Sequence, residues 1–187
     1  DSMFVVESDG RAGGLVLFYH KINKVVLNYV SDNFIDILFM NEDIVQWRFT
    51  GFYGRPSWSE RSLSWDDIRN LHCKGKHPWV VLGDFNEILL SSEKEGGNAR
   101  PNTMMRDFRN CLQECGLEDM GCIGDIFTWR RGETRERLDH AVCNVDWANK
   151  FPQAAIINEE HVHSDHRPLI LDTDYFDVNM FNRPRVE

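Results

Sequence analysis

Trp79 to Leu82 is an unbroken apolar run, closed at once by Gly83, Asp84, Phe85 and Asn86. A run that short, bounded by a glycine and polar residues, fits a strand buried on both faces better than an amphipathic helix. If the chain stays extended past Gly83, the period of two sends Asp84 and Asn86 to one side and Phe85 to the other. A carboxylate and an amide then stand together at the end of a rigid strand. The other reading of Gly-Asp-x-Asn is an Asx-type turn that simply closes the strand, and the local pattern leaves both open.

At 187 residues, 42% hydrophobic and 12% aromatic, the chain can bury a substantial core around that strand. The expectation is one domain over residues 1–173, with 174–187 a polar, aperiodic tail or linker. The formal charge of -9 and the isoelectric point near 5.2 weigh against a general basic field for nucleic acid, although a local arginine patch remains open. Five cysteines in no regular spacing argue for a reducing compartment, nucleus or cytoplasm, rather than a disulfide framework. No apolar run approaches the roughly 20 residues of a membrane helix. The chain opens on Asp1 instead of Met and enters a strand within a few residues, which reads as a piece of something longer or a degenerate gene product.

In order, Phe4 to Glu7 is a short strand and Ser8 to Gly14 a glycine-rich loop. Leu15 to Tyr19, Val25 to Val30, Ile35 to Met40 and Val45 to Tyr53 read as consecutive antiparallel strands rich in β-branched and aromatic residues. Ser57 or Ser59 is placed to cap a helix reaching about Cys73. Met104 to Cys115 is helical, with Met105, Phe108, Leu112 and Cys115 on one face and Gly116 as the stop. That spacing makes Cys111 and Cys115 core residues, and without a CxxC pair a zinc site with Cys122 is not supported. Phe127 to Arg130 and Arg137 to Asn144 read as a hairpin about Gly132. Ala154 to His161 and Leu169 to Leu171 supply two further strands.

Several strand ends carry polar chemistry. Tyr53 closes one strand, and in Arg137 to Val142 the alternation sets Asp139 opposite Leu138 and His140, in mid-strand, where a carboxylate needs a partner. Arg130, Arg131, Arg135 and Arg137 form the one basic concentration of an acidic chain. His161 to His166 spells H-x-H-x-D-H, also the metal signature of the metallo-β-lactamase fold, but no histidine follows His166 to complete a two-zinc site.

Taken together, Ser8 to Leu15, Gly51-Phe52-Tyr53-Gly54, Leu82 to Asn86, Phe127-Thr128-Trp129, Glu136 to Asp139 and Ser164 to Leu169 resemble, in order, blocks of the endonuclease/exonuclease/phosphatase superfamily. The resemblance is greatest to the apurinic-type endonuclease domain of plant LINE (non-LTR) retrotransposons. It implies an α+β fold, a four-layer α/β/β/α sandwich of two mostly antiparallel sheets with the active site at the strand ends. It implies divalent-metal hydrolysis of a phosphodiester, with Mg2+ or Mn2+ as cofactor and DNA as the substrate that is nicked. On matching positions, His166 paired with Asp139 contacts the scissile phosphate, Asp84 orients or deprotonates the attacking water, and Asn86 and Tyr53 hold phosphate oxygens. Asp165 lies beside the metal, and the arginine segment serves as a local phosphate rail. A reverse transcriptase domain in a longer polyprotein is the implied partner.

The family pattern also begins with a Trp-Asn strand and a strand ending in a metal-binding Glu, and neither is present here. The expectation is a domain lacking its N-terminal β-α-β unit, with weakened metal binding, apolar side chains left facing solvent and nicking near background. The competing readings are an inactive remnant, or a phosphatase of the same superfamily.

Overall fold

The computed structural model describes residues 2–7, 14–160 and 163–176. The expected loop over 8–13, His161 of the histidine tract and the tail from 177 lie outside the described residues. The elements are β1 (Ser2–Val6), β2 (Leu15–Tyr19), β3 (Lys24–Ser31), β4 (Phe34–Asn41), β5 (Ile44–Tyr53), α1 (Arg61–His72), β6 (Trp79–Asp84), β7 (Lys94–Glu95), α2 (Asn102–Glu114), β8 (Leu117–Asp119), β9 (Ile123–Gly124), β10 (Trp129–Arg131), β11 (Thr134–Glu136), β12 (Asp139–Asn144), α3 (Val145–Lys150), β13 (Ala155–Asn158) and β14 (Leu169–Asp172).

β3, β4 and β5 form an antiparallel run as expected, whereas β2, expected to lead it, pairs with β1 in a separate hairpin. β5 then lies parallel to β6, with α1 as the crossover, because parallel neighbours cannot be joined by a tight turn. β12 and β8 complete a six-stranded sheet in the order β3-β4-β5-β6-β12-β8. β6 is therefore flanked on both sides and covered on both faces, which accounts for its apolar run. On one face Trp79, Val81 and Phe85 pack with Trp65, Ile68 and Leu71 of α1 and with Phe108, Cys111 and Leu112 of α2. On the other, Val80 and Cys143 meet Trp147 of α3 together with Trp47, Phe49 and Leu171. Leu171 belongs to β14, which pairs with β13, itself parallel to β9. Two sheets thus lie face to face, with α1 and α2 outside the larger one.

The β1–β2 hairpin lies beside the large sheet and borders an open groove of about 380 Å³ lined by Leu15, Leu17, Ile35, Phe49, Phe52 and Leu82. Its outer face presents Met3, Val5, Val16 and Phe18 to solvent. No helix among the described residues is long and apolar enough to cross a membrane.

Three local expectations change. α1 starts at Arg61, after Glu60, while Ser57 and Ser59 hydrogen-bond to each other and cap nothing. α2 begins at Asn102, with Pro101 in an extended conformation at its N-cap. The hairpin about Gly132 is β10 with β11, not with Arg137 to Asn144. β12 instead crosses to the large sheet, because Thr128 Oγ1 accepts both Leu138 N and Asp139 N at 3.0 Å and turns the chain there.

Candidate active site

The sheet register sets three polar residues side by side: Tyr53 pairs with Asp84 across the parallel β5–β6 ladder, and Asp139 pairs with Asp84 across the antiparallel β12–β6 ladder. Registered partners share a face, and residues 80, 82 and 84 of β6 face the second sheet, so all three look into the cleft at the end of the sandwich. Two glycines allow this close approach. A Cβ on Gly83 would run into the carbonyl of Phe52, and one on Gly54 into the backbone of Phe85.

His166 enters from the loop before β14, held by an isolated bridge to Trp129. Its Nδ1 lies 2.8 Å from Asp139 Oδ2 and its Nε2 3.9 Å from Asp84 Oδ2. Nδ1–H donates to the Asp139 carboxylate, which leaves Nε2 directed into the cleft on the Asp84 side. That hydrogen bond raises the imidazole above its ordinary 6.5, against the opposing effect of burial. Asp139 thereby has the partner that a carboxylate at that place requires.

Asp84 is pushed up from 3.8 to about 7, first by burial and then by the Asp139 carboxylate, with His166 and the Asn86 N–H pulling the other way. The backbone turns sharply at Asn86, whose φ is 55°. Asn86 N donates to Asp84 Oδ1 at 2.7 Å, the hydrogen bond of an Asx turn, and Asn86 Nδ2 donates to Asp84 Oδ2 and to Gly54 O, both at 2.9 Å. The Asx turn and the convergence of polar groups, alternatives in the sequence, are therefore one arrangement. Both amide hydrogens of Asn86 are occupied, and a flipped amide would set its oxygen against two others. Asn86 in this state clamps Asp84 instead of offering its amide to a phosphate. Tyr53 is fixed at its backbone by Asn33, which donates Nδ2 to Tyr53 O and accepts Tyr53 N, both at 2.8 Å. Burial, followed by Asp84, raises its phenol above 10.0, so it remains an O–H donor near neutrality.

Asp165 is exposed beside His166, where its Oδ2 accepts Trp129 Nε1 at 3.0 Å. Arg130 and Arg131 are exposed on β10, next to the Asp165–His166 loop, which accepts Arg130 N at Asp165 O. Arg135 is partly neutralised by Glu95. Arg137 does not belong to this rim: it is 6% exposed and forks between Glu93 (2.8 Å) and Asp119 (2.5 and 2.8 Å). The alternation read along β12 does not extend back to it, because the chain turns at Leu138.

Two buried charge networks brace the loop between β6 and β7, and sequence reading missed both. Arg61 and Arg100 converge on Glu87, and Arg100 and Lys94 on Glu136. Arg137 joins Glu93 to Asp119, with His140 Nδ1 3.7 Å from Asp119. Among the described residues, three potential metal ligands gather only at Glu93, Asp119 and His140. Arg137 already sits on both carboxylates there, and Glu93 Oε2 also accepts Leu89 N and Leu90 N. A cation site beside a guanidinium so paired has neither free oxygens nor a favourable field.

A profile of the Endonuclease/Exonuclease/phosphatase family matches residues 4–166. The chain belongs to that family. Its fold is similar to the endonuclease domain of TRAS1, a telomere-specific non-LTR retrotransposon, with 19% identity, a TM-score of 0.71 and coverage of 91% of this chain and 78% of that one. It is also similar to the 3′ phosphatase NExo from Neisseria bound to a product DNA hairpin, at 16% identity and TM-score 0.66, covering 92% and 80%. Truncated TDP2 from Caenorhabditis elegans aligns at 12% identity and TM-score 0.52, covering 90% and 73%. No curated protein matches the sequence significantly.

The paired His166 makes a direct prediction. Asp139→Asn removes the charge that favours the imidazolium, so the His166 pKa should fall, as read by NMR titration. A value unchanged in the variant contradicts the pairing. A second prediction concerns Asp84. Its folded pKa lies above its unfolded one, so the folded state binds the extra proton between 3.8 and about 7. The stabilisation is present at low pH and is lost as pH rises through about 7. Asp84→Asn should flatten that part of the unfolding midpoint against pH in metal-free buffer, and an undiminished slope rules it out.

Proposed function

We propose that this chain hydrolyses phosphodiesters with a divalent cation, as a DNA-nicking endonuclease of a LINE-type (non-LTR) retroelement. The observation that carries the reading is the His166–Asp139 pair at 2.8 Å facing Asp84, a carboxyl group raised to about 7. A cation-forming donor and a base of near-neutral pKa in one cleft are what phosphoryl transfer to water requires. Membership of the family and the basic edge formed by Arg130, Arg131 and Arg135 support it.

The geometry supports one role for each residue. Protonated His166, held in one tautomer by Asp139, presents Nε2–H to an oxygen of the scissile phosphate. Asp84, oriented by the Asn86 clamp, accepts a proton from the attacking water. Tyr53 donates its phenolic hydrogen to a second phosphate oxygen. Mg2+ or Mn2+ is commonly held by one or two carboxylates, waters and substrate phosphate. Asp165 would take part in that arrangement, leaving Asp84 to act as the base. When bound, the cation would neutralise charge on the phosphoryl oxygens. The exposed arginines would hold flanking phosphates and set register without reading sequence.

Supercoiled plasmid with Mg2+ or Mn2+ tests the reading. The expected result is slow nicking, removed by chelator and by His166→Ala. Nicking that survives His166→Ala assigns the activity elsewhere, and none at protein excess favours an inactive relative. Selective release of phosphate from a 3′-phosphorylated oligonucleotide would favour a phosphatase.

A further inference from the structure

Trp58 leaves its indole 56% exposed on the loop between β5 and α1. Lone exposed apolar residues are ordinary, but this one stands on a loop whose backbone is bonded to the Asp84–Asn86 turn. The loop leaves from Gly54, which donates N–H to Asp84 O at 2.6 Å and accepts from Asn86 Nδ2. Arg61, itself buried, fastens the loop by donating to Arg55 O at 2.7 Å, to Pro56 O at 2.9 Å and to Asn86 O. Arg55 N is bound to Ser64 Oγ at 2.9 Å, and its guanidinium to Asp67 at 2.6 Å. The segment that carries the indole is therefore tied to the same residues that hold Asp84.

The ring is also backed. The guanidinium of Arg100 lies 5.7 Å from its centroid. That guanidinium cannot swing away, since its Nε is 3.2 Å from Glu87 and its other end is paired with Glu136. A flat, pre-oriented aromatic surface with a fixed cation behind it loses little freedom when a second flat group stacks on it.

We infer that Trp58 is a stacking platform for a nucleobase of the strand whose phosphate enters the cleft. The inference rests on the phosphodiester reading for its geometry and adds a base contact to it. Every base has a π face, so the platform tolerates sequence and favours an unpaired or splayed base over a paired one.

The test uses fluorescence anisotropy of single-stranded DNA oligonucleotides in which one nucleotide at a time is replaced by an abasic tetrahydrofuran unit. Wild-type protein should lose about tenfold in affinity at one position of the scan, the scale of a single base–aromatic stack. Trp58→Ala should bind the intact strand about tenfold more weakly and be indifferent to the abasic unit, whereas Trp58→Phe, checked for folding by circular dichroism, keeps most of the preference. Wild-type indifference to every abasic position, absence of binding, or discrimination that persists in Trp58→Ala overturns the inference. Bis(p-nitrophenyl) phosphate, a phosphodiester with no base, separates the two readings in wild-type protein. Base-dependent binding without its hydrolysis keeps the platform and removes the phosphodiester reading, and hydrolysis without base-dependent binding does the reverse.

Discussion

Glu87→Ala is expected to destabilise the fold by about 3–5 kcal/mol, the cost of breaking a buried ion pair from one side. Glu87 is fully buried, with Arg61 3.1 Å from Oε2 and Arg100 3.2 Å from Oε1. Burial already lowers the Arg61 guanidinium below its ordinary value, with Glu87 the largest opposing influence and Arg100 pushing it lower still. Without Glu87 the two guanidinium groups face each other with no carboxylate between them. Arg61 anchors both the loop that carries Trp58 and the turn at Asn86, so the loosening should reach the cleft. Urea unfolding followed by circular dichroism measures the effect. Asp66→Ala, which removes an exposed partner of Arg69 at 3.4 Å, should change stability by less than about 1 kcal/mol. Equal effects from the two variants would show that Glu87 is replaceable where it stands.

His166→Ala is the substitution with the largest expected effect on activity. Removing one preorganised donor to a developing oxyanion lowers turnover by roughly a hundred- to a thousandfold. The side chain is about a third exposed, 32%, and its one strong bond is to Asp139, so stability should change little by comparison. Single-turnover cleavage of a DNA substrate, measured with the unfolding midpoint, separates the two effects. A variant that folds normally and cleaves within a factor of a few of wild type removes His166 from the mechanism.

The Trp79 to Leu82 run marks the central strand because a strand covered on both faces must be apolar at every position. The polar residues after Gly83 mark its end for the same local reason. Strand alternation likewise placed Asp139 opposite His140, and helical spacing placed Cys111 and Cys115 in the core, where both are buried. These features follow from backbone periods of 2 and 3.6 and from turn chemistry, which act between near neighbours. The ordered motif blocks added the family and the fold, which no single period could supply.

Tertiary structure alone decided what the charged residues do. Arg137 stands in a run of arginines that reads as a phosphate rail, yet it is buried because its guanidinium forks between Glu93 and Asp119 from elsewhere in the chain. Glu87 follows Asn86 with no local sign that it will be sealed between Arg61 and Arg100. The amide of Asn86 reads as a free donor until Gly54 and Asp84 occupy both its hydrogens. Asp84 is raised to about 7 because the fold buries it and, second, because β12 delivers Asp139 to the neighbouring register position. The energy of a buried charge depends on partners brought within a few ångströms by the fold. Sequence spacing carries no measure of that distance.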